Sequence, residues 1–338
     1  MIKLAVAHAG CENLMGFAMS GTLSGPTQAE GQNSTSPHLI YDPPPAGAPS
    51  LPARRRALPR MLDDPRIARA VRLIELTPAR EMTLTDVAAH VGLTPFHFQR
   101  YFQAFMGESP SAYLRRTRLD RAAMNLQMSD EPITRIAFNA GYASHEAFIR
   151  AFQRQFSIAP SQYRALAQQA RPQPSQAHLA RLPQVSVGTR PSLRLLALRF
   201  HGPYAQVEDH WRRFAAYLEQ IGYPLDQAEA VGVILDTPLI TPGEMIRYDC
   251  AVIDRGIDVS ESALQELEFQ AGRYVSYRHE GPYAEIFHAF ETVSLAWLQT
   301  SGEMFLPDGN GGYEFYHQPP WKHAGGAQAL SIVLPLAG

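Results

Sequence analysis

Two units of different fold class are predicted in this 338-residue chain. The first is an all-α module built on two helix-turn-helix motifs. The second is an α+β module in which duplicated strand-helix-strand-strand units share an antiparallel sheet. Three observations predict this division. One pattern is written twice between Leu84 and Arg164, a different pattern is written twice beyond residue 190, and the charge changes sign between them. Residues 60–165 hold fourteen arginines, no lysine and ten acids, whereas residues 180–338 hold eleven basic residues and nineteen acids. The overall charge of −2 hides a basic module joined to an acidic one, an arrangement suited to a nucleic-acid binder tethered to a domain that must not compete for phosphates.

In the first repeat, Leu84, Ala88 and Gly92 recur as Ile133, Ala137 and Gly141 at an offset of 49. Phe98, Arg100, Phe102, Pro110 and Tyr113 recur as Phe148, Arg150, Phe152, Pro160 and Tyr163 at 50. An apolar residue followed four positions on by Ala marks one face of a short helix, and the Gly four further on suits a tight turn before a second helix. Helix, Gly turn, helix is the motif whose second helix enters a DNA major groove. The aromatics recurring in phase, Phe98, Phe102, Phe148, Phe152 and Tyr163, are expected in the core.

The flanking segments follow from the same rules. Residues 1–59 are rich in Gly, Pro, Ser and Ala without periodicity and are expected to be disordered, with Arg54, Arg55 and Arg56 as a solvated basic run. Asp64-Pro65 is a helix start, followed by Ile67, Ala70, Val71 and Ile74 at helical spacing. Between the motifs, a capping Ser109 or Ser111 and a stripe of Leu119, Ala122, Ala123 and Leu126 predict a long connecting helix. Such a helix is a stiff spacer for two readers that must sit about 34 Å apart on one DNA face. Arg115, Arg116, Arg118 and Arg121 along it are expected to meet phosphates or solvent. Residues 166–180, rich in Gln and Pro, read as a linker.

Residues 62–165 resemble the DNA-binding domain of AraC/XylS-type transcription regulators. The second copy, GYASHEAFIRAFQRQFSIAPSQYR, carries the resemblance most fully, with Ser157 standing where that family usually has Gly. The resemblance implies base reading by Phe96, Gln99 and Arg100 in the first recognition helix, aided by His97, and by His145, Glu146 and Arg150 in the second. The chemistry fits: Arg reads guanine bidentately, Gln reads adenine, Glu accepts from cytosine, and Phe lies against a thymine methyl. Because the two sets differ, the expected partner is double-stranded DNA with a non-palindromic site, bound by a monomer or homodimer, with RNA polymerase as a further partner.

Beyond the linker, Gly202-Pro203-Tyr204 recurs as Gly281-Pro282-Tyr283. Each follows an apolar strand and opens a helix, with two strand-like runs after each helix: AVGVILD and RYDCAVID, then YEFYHQ and ALSIVLPL. This part, 181–338, resembles the GyrI-like small-molecule-binding domain. The resemblance implies a pocket acid at Glu314 and a small-molecule effector. A carboxylate among Tyr248, Tyr283, Trp297, Tyr313 and Tyr316 suits lipophilic cations through charge and cation–π contact.

Other classes find little support. Cys11 and Cys250 imply no disulfide framework, consistent with a cytoplasmic protein. No stretch reaches the length of a membrane span. His201, His210, His279, His288 and His317 match no metal motif, and there is no phosphate loop or nucleophile elbow, so neither metal nor cofactor is expected and the protein is read as a non-enzyme. The alternatives are a second domain that hydrolyses or sequesters a small molecule, or one that docks a protein partner.

Overall fold

The computed structural model describes residues 61–76, 83–170, 173–306, 312–323 and 326–337. The expectations for residues 1–59, including Arg54, Arg55, Arg56 and Cys11, lie outside them. The all-helical part comprises α1 (Pro65–Leu76), α2 (Leu84–His90), α3 (Pro95–Met106), α4 (Pro110–Met128), α5 (Ile133–Asn139), α6 (His145–Phe156) and α7 (Pro160–Gln169). Local chemistry sets their ends. The Asp64 carboxylate accepts from the backbone N–H groups of Arg66 and Ile67, both at 3.0 Å, ahead of Pro65 at the first helical position. Thr83 and Asp86 form a capping box, and Thr94, Ser109 and Ser144 cap α3, α4 and α6.

Gly92 and Gly141 take positive φ in the two motif turns, as their spacing predicts. Ser157 also ends α6 in the left-handed region, at φ 65°, where Gly107 ends α3 at φ 74°. The turn therefore keeps its shape although the residue is no longer Gly.

Phe98, Phe102, Phe148 and Phe152 are fully buried, and their rings form edge-on or tilted chains along α3 and α6. Tyr163 is half-buried, its ring edge-on to Phe152. Arg116 departs from expectation. It is 12% exposed, ion-paired with Glu108 at 2.6 Å and stacked over the Tyr113 ring, so it belongs to the interior and not to a phosphate-facing row.

The second part begins with α8 (Gln176–Arg181), a helix where only a linker was expected. Its strands are β1 (Val185–Arg190), β2 (Leu193–His201), β3 (Ala230–Ile234), β4 (Arg247–Ile253), β5 (Gln265–Phe269), β6 (Gly272–Pro282), β7 (Gly312–Tyr316) and β8 (Ala327–Pro335). The helix α9 (Val207–Gln220) follows β2. In the matching place after β6, α10 (Ile286–Glu291) runs on through a π-helical turn (Thr292–Trp297) to Ser301.

The strands form one antiparallel sheet ordered β1-β6-β8-β7-β3-β4-β2-β5. Read from its middle outward, this order is symmetric: β3, β4, β2 on one side mirror β7, β8, β6 on the other. The two copies predicted by the Gly-Pro-Tyr repeat meet where Gly232 of β3 pairs with Glu314 of β7.

Period-two alternation sorts the side chains onto two faces. Leu196, Leu198, Phe200, Tyr248, Cys250 and Ile332 share a core with Trp211 and Phe214 of α9 and Val293 of the π-helical turn after α10. Leu195, Ala197, Val231, Val233, Tyr313 and Val333 form a second cluster on the other face. Among the described residues no helix is long and apolar enough to cross a membrane.

Candidate functional site

The side chains predicted to read bases sit on the outer faces of α3 and α6. Phe96 is 66% exposed, with the Arg100 guanidinium 5.6 Å from its ring centroid. His97, Gln99, Arg100, Glu146 and Arg150 are exposed, and His145 is half-buried at the start of α6. The same helices turn Phe98, Phe102, Phe148 and Phe152 inward. Outward polar groups and inward aromatics on one short helix are what the 3.6-residue period demands once one face has found a core.

Glu314 occupies a different environment. It lies on β7 between β3 and β8, is fully buried, and accepts three tyrosine O–H donors: Tyr248 at 2.6 Å, Tyr283 at 2.9 Å and Tyr316 at 3.0 Å. Burial raises its carboxyl above the usual range, against the opposing effect of these hydrogen bonds. The same burial, with the nearby carboxylate, holds all three phenols well above their ordinary value, so they remain donors. No Lys or Arg pairs with Glu314 among the described residues. A carboxylate in this setting is a negative site whose charge is spread over phenols and not cancelled.

Three further residues build this cage, and two expected residues stand apart. Trp211 of α9 donates its indole N–H to the Tyr316 hydroxyl at 3.1 Å. Trp297, by contrast, packs in the π-helical turn against the helix-side core, at the position that Leu218 takes in the first copy. Tyr313 faces the other side of the sheet, against Phe269. A one-residue step along a strand reverses the face, which is why Tyr313 leaves the cage while Glu314 enters it.

Tyr204, the partner of Tyr283 in the repeat, meets the Tyr248 ring edge-on at 6.2 Å. Gly232 is the floor: a Cβ there would lie 2.0 Å from the Tyr248 hydroxyl oxygen and 3.0 Å from Glu314 Oε2. A glycine inside the strand run AVGVILD signals such close approach, so this residue was within reach of sequence reasoning. Trp211 was not, because its helical stripe reads as plain core.

On the opposite face of the sheet the all-helical part is docked through charge. Glu75 of α1 accepts from Arg199 of β2 at 2.9 and 3.1 Å and from Arg247 of β4 at 2.7 Å, and the Tyr113 hydroxyl also donates to it. Arg199 binds Asp249 as well, and Arg247 binds Asp236 at 2.7 and 2.9 Å. Burial alone would raise the Glu75 carboxyl, but the two guanidinium groups hold it well below the usual range. The main chain joins in, with Leu62 N–H donating to the Arg199 carbonyl at 2.8 Å. His201, adjacent to this network, is 1% exposed, and burial beside Arg199 pushes it down to about 3, so it is a neutral ring.

One His/acid trio converges among the described residues: His178 of α8, His288 and Glu291, their ligand-type atoms within 4.8 Å of one another. The Ser175 N–H donates to His178 Nδ1 at 3.2 Å, which leaves the proton on Nε2, 3.4 Å from the Glu291 carboxylate. In that tautomer the ring offers no lone pair to a cation. The trio clasps the connecting helix to α10.

Residues 87–166 match the family described as a helix-turn-helix domain, and residues 183–336 match the GyrI-like small molecule binding domain. The chain joins an AraC-type DNA-binding domain to a GyrI-like domain. The Transcriptional regulator Rob of Salmonella typhimurium is 39% identical over 83 residues, covering 25% of this chain and 29% of that protein. The Transposon Tn10 TetD protein of Escherichia coli is 35% identical over 91 residues, 27% of this chain and 66% of that protein. This chain thus spans less than a third of the length of Rob. An AraC-type DNA-binding domain structure from Chromobacterium violaceum is 30% identical, covers 31% of this chain and 95% of its own, and superposes with a TM-score of 0.29. The AraC-type domain holds both motif repeats, and the GyrI-like domain holds the tyrosine-caged Glu314.

Proposed function

We propose that this protein is a cytoplasmic, sequence-specific transcription regulator whose GyrI-like domain senses a small hydrophobic cation. The observation that carries the sensing role is Glu314: a fully buried carboxylate whose side-chain partners among the described residues are three neutral phenols, within a cluster of aromatic rings. A cation entering between Tyr248, Tyr283, Tyr316 and Trp211 would compensate the buried charge and gain cation–π contact, so the cage discriminates by both charge and shape. Phe96, Gln99 and Arg100 on α3 and His145, Glu146 and Arg150 on α6 are the base readers in this reading, with His97 beside them. Their different chemistry calls for a non-palindromic site, and two readers in one chain let a monomer occupy it. Ligand binding then alters how the protein engages DNA or RNA polymerase, which requires the ligand to favour one conformation over another.

Calorimetry with tetraphenylphosphonium as the probe tests the sensing role. Glu314→Gln should abolish the binding heat of the full-length protein, while a cooperative melting transition shows that the variant is folded. Equal binding by wild type and Glu314→Gln, or binding by neither across a panel of lipophilic cations, refutes it. Mass spectrometry of the incubated panel checks that the cage binds without converting what it holds.

A further inference from the structure

The two halves of the AraC-type domain are attached to the GyrI-like domain by different means. The first half belongs to the same buried cluster as the sheet's helix side, with Met61 bridging to Phe200, is joined by the Leu62–Arg199 main-chain bond, and is locked by Glu75 between Arg199 and Arg247. The second half has its own core of Leu119, Leu126, Ile136, Phe148 and Phe152, and among the described residues the one GyrI-like side chain packed on that core is Ile240.

Ile240 sits in the arm of residues 235–246 that joins β3 to β4. Its neighbour Thr241, 1% exposed, donates to Asp120 Oδ2 at 3.2 Å. Asp120, in α4, accepts on its other oxygen from Gln155 Nε2 at 2.6 Å, and Gln155 belongs to α6. The arm is therefore one side chain removed from the second recognition helix.

At its base the same arm meets the cage. The Tyr204 hydroxyl, whose ring lies edge-on to Tyr248, donates to the Asp236 carbonyl at 2.6 Å. The Asp236 carboxylate in turn fixes the first residue of β4 through the Arg247 backbone N–H at 2.8 Å. Glu314, Tyr248, Tyr204 and Asp236 thus form an unbroken series of contacts from the cage to the arm.

We propose that the arm of residues 235–246 positions the second recognition helix according to the state of the tyrosine cage, with Thr241 and Asp120 as positioning residues. The first recognition helix stays fixed to the sheet. An occupant that moves Tyr248 moves Tyr204 and the Asp236 carbonyl it holds, and Ile240 and Thr241 carry that shift to α4 and α6. The first half shares Arg247 with the Asp236 carboxylate, but it is also held by Glu75 to Arg199, which Asp249 of β4 fixes, and by the Leu62–Arg199 main-chain bond, so it follows less. Regulation is then selective for one half-site: the DNA read by α6 gains or loses protection while the DNA read by α3 changes less. This rests on the DNA-binding reading above.

The test is a quantitative footprint of the full-length protein on a pool-selected site, with the α6 half-site identified as the half lost in Arg150→Ala. Thr241→Val keeps the side chain's shape and removes its donor. It should weaken protection of the α6 half-site at least about fivefold, the size of one lost hydrogen bond, and leave the α3 half-site within about twofold. Tyr248→Phe, which frees Glu314 of one donor, should also change only the α6 half-site, and the double variant should show no further change, because the arm is the shared route. Equal effects on both half-sites, or strictly additive effects of the two substitutions, overturn the proposal. A wild-type protein that selects no sequence overturns the DNA-binding reading itself, a result distinct from either.

Discussion

Substituting Glu75 by Gln removes one charge from a buried electrostatic cluster between the two domains and changes almost no volume. Glu75 faces Arg199 and Arg247 with side-chain exposures of 8%, 8% and 3%, and its two oxygens accept from both guanidinium groups and the Tyr113 hydroxyl. Arg72, Arg199 and Arg247 are set against Glu75, Asp236 and Asp249, so the cluster is balanced as it stands. Glu75→Gln leaves one positive charge uncompensated in a buried interface and turns an amide donor toward guanidinium donors.

Breaking a buried pair in this way costs about 3–5 kcal/mol. For domains of this size each kcal/mol lowers the midpoint by about 2–4 °C, so the variant should melt roughly 10 °C lower. Differential scanning calorimetry measures the change, repeated at low and high salt. Because the pair is buried, the deficit should persist at about 0.5 M salt, where an exposed ion pair would be screened. A loss below about 1 kcal/mol, or one that disappears in salt, would refute a closed interface, and with it the fixed attachment of the first recognition helix.

Other outcomes can be checked independently. Gly232→Ala should displace the Tyr248 hydroxyl from Glu314 and raise the dissociation constant of a bound lipophilic cation by at least about tenfold, read by calorimetry; unchanged affinity would mean that Tyr248 is not part of the binding surface. Asp120, pushed up to about 7 by burial and by the Asp236 carboxylate, has a folded-state value above its ordinary 3.8. The stability it contributes is complete below pH 4 and is lost as pH rises through 7. Asp120→Asn should therefore gain stability relative to wild type between pH 5 and pH 8, and a difference independent of pH would refute the assignment. Ser157→Gly relieves a left-handed residue, so the midpoint should rise by an amount equivalent to about 0.5–1 kcal/mol, and a fall would show that the side chain contributes more than the backbone strain costs. Arg100→Ala and Arg150→Ala should each cost about 1–3 kcal/mol of DNA affinity and relax base preference at one position; a uniform loss over all sequences would mean phosphate contact alone.

The chain's own periodicities determined both domains. A repeat at 49–50 residues with Gly in the turn and aromatics in phase can bury its stripe only as paired helices, and Gly92, Gly141, Phe98 and Phe148 stand where that logic puts them. The Gly-Pro-Tyr repeat likewise carried enough local signal to imply a pseudo-symmetric sheet.

The cage was half legible. Glu314, Tyr248, Tyr283 and Tyr316 come together, but Trp211 replaced Trp297, because which helical aromatic reaches across a sheet depends on how α9 and α10 cross it and not on spacing within either helix. The docking of the two domains was not legible at all. Glu75, Arg199, Arg247 and Asp236 look in sequence like ordinary surface charges, separated by up to 172 positions. They become a buried network only because α1 and α4, from a distant part of the chain, bring Glu75 and Tyr113 against Arg199 and Arg247 of the sheet. Ion pairing has no periodicity to betray it, and the same holds for Asp120, Thr241 and Gln155, whose meeting is a property of the tertiary structure.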